Sequence, residues 1–97
     1  MNKTQQIEWS DWLDFNQDTV SKVPEVSGVF MMHAAMKILY IGGSENMKKT
    51  IENISEKCVS NATRFRYRKE KDFGRIKNEL IVDYKKRHEG KAPKCMN

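Results

Sequence analysis

Three places in this chain carry residues whose types and spacing could do chemistry. In the run Ala62-Thr63-Arg64-Phe65-Arg66-Tyr67-Arg68-Lys69, basic and aromatic residues alternate. On a strand this puts Phe65 and Tyr67 on one face and Arg64, Arg66 and Arg68 on the other. Three guanidiniums on one pleat repel unless an anion or carboxylates lie between them. The run therefore reads either as a phosphate-binding stripe or as solvated edge-strand charge that blocks aggregation. Gly42-Gly43-Ser44 leads into a helical pattern carrying Lys48 and Lys49 on its exposed side. Backbone N–H groups at such a turn can take an anion, although an ordinary strand-to-helix turn reads the same way. The G-x-x-x-x-G-K-[ST] spacing is missing, so no nucleotide P-loop is expected. Glu79 and Asp83 fall one turn apart on a later helix, on the flank of its apolar stripe, where a carboxylate could reach a groove beside the sheet.

The elements that must position these residues start with a hairpin. Gly28-Val29-Phe30-Met31-Met32 and Lys37-Ile38-Leu39-Tyr40-Ile41-Gly42-Gly43-Ser44 are two β-prone runs about a tight connection. A turn centred on Ala35 would pair Phe30 with Tyr40, Met31 with Leu39 and Met32 with Ile38. Upstream, Trp9, Trp12, Leu13 and Phe15 match the spacing of short helices, with Asp18 as a cap and Pro24 as a stop. These residues suit a lid over the sheet, or a tryptophan platform for bases. Met47, Ile51, Ile54 and Cys58 predict a first main helix, with Ser44 as its N-cap. Phe73, Ile76, Leu80 and Tyr84 predict a second, from about Asp72 to about His88 with Gly90 beyond it. The tail containing Pro93 is expected to be extended. A three-stranded sheet with helices packed on it, class α/β or α+β, accounts for every stripe. Residues 1–23 are expected to form a helical extension and 24–97 the domain proper.

With 97 residues, a 38% apolar fraction and 32% charged residues, the chain fits one soluble domain, and neither disorder nor a bilayer span suits it. The polar start, Met1 to Gln6, points to the cytoplasm, and Cys58 and Cys95, without CxxC spacing, then read as free thiols. A formal charge of +5, concentrated after residue 47, favours polyanions or simply solubility. His33 and His88 read as surface residues.

Gly28-Val29-Phe30 and Tyr40-Ile41-Gly42, with the helix, strand and helix that follow, resemble the GIY-YIG nuclease superfamily over about residues 24 to 97. Pro93 followed by Asn97 is similar to the family's P-x-Y-N ending. The resemblance implies phosphodiester hydrolysis with Mg²⁺ or Mn²⁺, and an association with DNA repair. A hairpin tyrosine would help deprotonate water, a later glutamate would hold the cation, and a helix arginine would neutralise the phosphate. Carried over by position, Tyr40 matches the second-motif tyrosine, Phe30 replaces the first, Thr50 stands at the arginine and Gly43 at a frequent lysine. Lys77 aligns with the glutamate, so Glu79 is the candidate metal ligand and Asp83 the reserve. The function expected on this basis is nucleic-acid binding, DNA favoured, with degenerate or weak nuclease activity. An active structure-selective endonuclease and a non-catalytic protein-interaction module are the alternatives.

Overall fold

The computed structural model describes residues 9–35, 37–54 and 59–96. Strands β1 (Leu13–Asp14), β2 (Gly28–Ala34), β3 (Lys37–Ser44) and β4 (Arg64–Lys69) form one antiparallel sheet, in the order β1-β4-β2-β3. Helices α1 (Gln17–Val20), α2 (Met47–Glu52) and α3 (Phe73–Arg87) pack around it, with 3₁₀ turns at Val59–Asn61 and Lys94–Met96. No helix among the described residues is long and apolar enough to cross a membrane.

The hairpin forms, in a different register. Ala34 pairs with Lys37 around Ala35, which takes φ +51°, so the turn is centred one half-step later than expected. A bulge opposite Met32 and His33 then leaves Leu39 as an extra residue, and Phe30 faces Gly42, Met31 faces Ile41 and Met32 faces Tyr40. The net slip is two residues, which preserves the faces. Phe30 and Tyr40 therefore remain ring neighbours as a diagonal pair, with centroids 6.0 Å apart.

The Trp9–Leu13 stretch is extended rather than helical. Leu13 pairs with Phe65 and Asp14 with Arg64, and the Phe15 N–H donates to the Thr63 carbonyl at 2.9 Å. The sheet thus gains a fourth strand beyond the three expected, covering part of the open edge of β4. α1 is a single turn capped by Asn16, whose side chain accepts from the Thr19 N–H, in place of Asp18. Ser44 is not the cap of α2. It ends β3, its Oγ accepting from the Asn46 N–H at 2.9 Å, and Asn46 Oδ1 caps the helix through Lys49 N–H. α2 ends at Glu52 within the described residues. Ile54 still packs on the core, and Cys58, placed on the same stripe, lies outside them.

One sheet face carries Phe30, Met32, Leu39 and Phe65, packed with Val20 and Val23 between β1 and β2, Met47 and Ile51 of α2, and Val59 and Ala62. Burying a ring such as Phe65 is worth roughly 1.5–3 kcal/mol. On the opposite face lie Val29, Met31, Ile41 and Gly43, with α3 above β3. After α3, Glu89 (φ +57°) and Gly90 (φ +84°) turn the chain back, the Gly90 N–H donating to the Lys85 carbonyl at 2.7 Å. The tail is not extended: Pro93 is buried and the Lys94–Met96 turn packs on β3. Within that turn Cys95, expected to be a free thiol, is disulfide-bonded. Sequence spacing carries no sign of a bond between distant cysteines.

Candidate nucleic-acid interface

Strand parity sorts the predicted site residues onto two faces. Tyr40, Gly42 and Ser44 share the Phe30 face. A Cβ at Gly42 would lie 2.5 Å from Phe30 Cζ and 2.8 Å from Tyr40 Cε2, so glycine is what lets both rings lie flat over this strand. Ser44 and Thr50 close that end with a hydroxyl pair at 2.5 Å, so Thr50, at the expected arginine position, has its hydroxyl engaged with a neighbour. Lys48 and Lys49 ride on α2, which packs against this face. A Cβ at Gly28 would collide with the Arg68 carbonyl and the Met47 side chain, so this glycine seats α2 and β4 against β2.

The α3 face holds the rest. A Cβ at Gly43 would be 3.2 Å from the Phe73 ring and 3.4 Å from Lys77 Cβ. Lys77 therefore abuts the strand at the point where the resemblance calls for a lysine on the strand and a glutamate on the helix. Glu79 and Asp83 line a groove of about 330 Å³ with Arg68, Ile76 and Leu80. Both carboxylates are engaged: Glu79 accepts from Arg75 at 2.6 Å, and Asp83 pairs with Arg87 at 3.4 Å. Hydrogen bonds to Asp72 and Glu79 raise the Arg75 pKa above the ordinary arginine value. Tyr40 and Glu79, paired in the expectation, stand on opposite faces of the sheet.

The arginine stripe is on the α3 side and finds partners within the chain. Arg64 lies 3.9 Å from Asp14, and Arg68 forms a 2.5 Å pair with Glu70. Arg66 sits between two indoles, 4.5 Å from the Trp9 ring centroid and 4.6 Å from that of Trp12, with Nη2 3.7 Å from Met31 Sδ. Its buried Nε has no hydrogen-bond partner among the described residues, and burial lowers its pKa. Trp12 in turn lies 4.6 Å from the His33 ring. Sequence reasoning found the arginines and the tryptophans but not their contact, which joins segments more than fifty residues apart.

For a divalent cation the α3 face offers single carboxylates: among the described residues no group of three or more His, Cys, Asp or Glu gathers, and Glu79 and Asp83 are each paired with an exposed guanidinium.

A glycine-motif hairpin inside a small antiparallel sheet, followed by a helix, a strand and a long helix on the far face, is the GIY-YIG fold. Among solved structures the chain is similar to the GIY-YIG N-terminal endonuclease domain of UvrC from Thermotoga maritima, with a TM-score of 0.62 and 18% identity over 80% of this chain and 90% of that one. That structure is of a variant with phenylalanine in place of a tyrosine, bound to its catalytic divalent cation. No family model and no curated protein matches the sequence.

Proposed function

We propose that this chain is a GIY-YIG-like domain that binds nucleic acid, with DNA favoured, and whose nuclease chemistry is degenerate or weak. The observation that carries this reading is the close approach of Lys77 to Gly43, whose missing Cβ would lie 3.4 Å from Lys77 Cβ. At the point where the resemblance asks for a metal-holding carboxylate the chain presents an ammonium, which attracts a phosphate and repels a metal ion. Phe30 has no hydroxyl for proton transfer, and Thr50 supplies no guanidinium. If cleavage occurs, a divalent cation is its expected cofactor, as in the domain from Thermotoga. Glu79 would have to exchange Arg75 for that metal.

Labelled branched DNA incubated with the protein and Mg²⁺ or Mn²⁺ tests this. Retarded mobility without product is the expected result. Cleavage that disappears in both Tyr40→Phe and Glu79→Gln would overturn the degenerate reading in favour of an active nuclease, whereas failure to bind any nucleic acid would leave a protein-interaction module.

A further inference from the structure

The chain reversal after α3 builds a second, more basic pocket. Glu89 and Gly90 turn the backbone in left-handed conformations, and buried Pro93 anchors the returning strand. Lys91 and Lys94 are thereby brought opposite Lys37 at the hairpin tip. Together with Arg87, Tyr84 and His88 they line a pocket of about 630 Å³ in which Glu89 is the sole carboxylate among the described residues. Arg87 shares Asp83, but Lys37, Lys91 and Lys94 have no ion pair among the described residues. The negative end of α3 offsets only part of their mutual repulsion.

The wall of the pocket is aromatic as well as basic. Tyr84 and His88 stack at 3.8 Å between centroids with 9° between planes. His88 Nδ1 lies 2.8 Å from the Tyr84 carbonyl oxygen. A carbonyl only accepts, so Nδ1 carries the proton, the ring is fixed in orientation, and Nε2 is its remaining polar atom. A flat stacked pair ringed by ammonium groups suits a ligand alternating planar bases with phosphates. In a duplex the base faces are hidden, so such a pair can be reached only by unpaired bases.

We propose that this pocket, at the C-terminal end of α3 and the β2–β3 tip, holds a single-stranded segment of nucleic acid. Phosphates lie on Lys37, Lys91 and Lys94, and a base packs against the Tyr84–His88 pair. The proposal rests on the nucleic-acid-binding reading and adds to it a strand path away from the Gly43–Lys77 contact.

The test is fluorescence anisotropy of a short labelled oligothymidylate over a salt series. It uses the full chain, the combined Lys37→Gln, Lys91→Gln, Lys94→Gln variant, His88→Ala, and a control at exposed Lys22, Lys22→Gln, each checked for folding by circular dichroism. The lysine variant is expected to bind about tenfold or more weakly, with the slope of log affinity against log salt shallower by about 2. His88→Ala is expected to weaken binding at unchanged slope. Retained affinity and slope in the lysine variant, while the wild type binds, would overturn the pocket and leave the broader reading standing. Absence of wild-type binding to the oligothymidylate at low salt, with branched DNA still retarded, overturns the pocket alone, and absence of binding to either overturns both readings. Displacement of the oligonucleotide by poly-glutamate as readily as by unlabelled oligothymidylate would reduce the pocket to a charge patch and overturn it too.

Discussion

Arg66 is held by two indole rings and a thioether where a carboxylate would be the commoner partner, and this sets what its removal costs. Burial disfavours its charge, as the lowered pKa records, while the faces of Trp9 and Trp12 favour it. In the alkaline range where this group loses its proton, the folded chain therefore binds fewer protons there than the unfolded chain does. Its charge costs stability at neutral pH, and the cost is relieved only as pH rises through the lowered value towards the ordinary arginine range. Arg66→Met keeps an unbranched stem among the rings and removes the charge, whereas Arg66→Ala removes both. Arg66→Ala is expected to destabilise by about 1–3 kcal/mol and Arg66→Met by less, read from urea midpoints at neutral pH. An equal loss in both would mean that the charge carries the contact and the stem nothing. Residue types alone announced a cationic stripe. They could not announce that Asp14, Glu70 and two tryptophans are its counterparts, because those contacts are made by the fold.

At the scale of elements, strict patterns were legible and edges were not. The Arg64–Lys69 alternation is β4, and the Phe73–Tyr84 stripe is α3, because each repeats one period without interruption. Trp9, Trp12 and Leu13 satisfy a helical spacing equally well, and pairing of Leu13 and Asp14 with the open edge of β4, extended by the Ser10 N–H bond to the Tyr67 carbonyl, decided against a helix. The hairpin register was lost to a turn centred half a step later and to one extra residue, Leu39, while the Phe30–Tyr40 neighbourhood survived because the net slip was even. The C-terminal turn was illegible for a different reason: its anchors are buried Pro93, the Met96 sulfur accepting from the Ile41 N–H at 3.4 Å, and the disulfide of Cys95. This turn packs on β3, the strand that carries Tyr40-Ile41-Gly42. Reduction of the disulfide, or Cys95→Ser, is expected to lower stability by about 2–4 kcal/mol. Thermal unfolding with and without reductant checks it. An unchanged midpoint would show that Pro93 and Met96 hold the turn unaided.

Over the whole molecule the same charge does two different jobs, and equal changes in net charge separate them. Replacing Arg64, Arg66 and Arg68 with Ser removes three positive charges from a chain carrying +5, as does replacing Lys37, Lys91 and Lys94 with Gln. If binding followed net charge alone, the two variants would weaken it alike. Their surroundings differ, however. Loss of Arg68 strands Glu70, only 10% exposed at its side chain, and loss of Arg66 empties the space between two indoles. Uncompensated carboxylate burial and lost packing together point to a stability loss of about 3 kcal/mol or more. The exposed lysines form no ion pair among the described residues, so their replacement relieves repulsion and leaves the urea midpoint level or slightly higher. The expected outcome is a crossed pattern. The arginine variant unfolds early and, at temperatures where it is still folded, retains most of its oligonucleotide affinity, with Arg64, 60% exposed, accounting for the part it loses. The lysine variant stays as stable as the parent and binds weakly. Parallel urea titrations and anisotropy read both axes. An arginine variant that keeps its stability but loses affinity would return phosphate binding to β4 and demote its internal partners to bystanders.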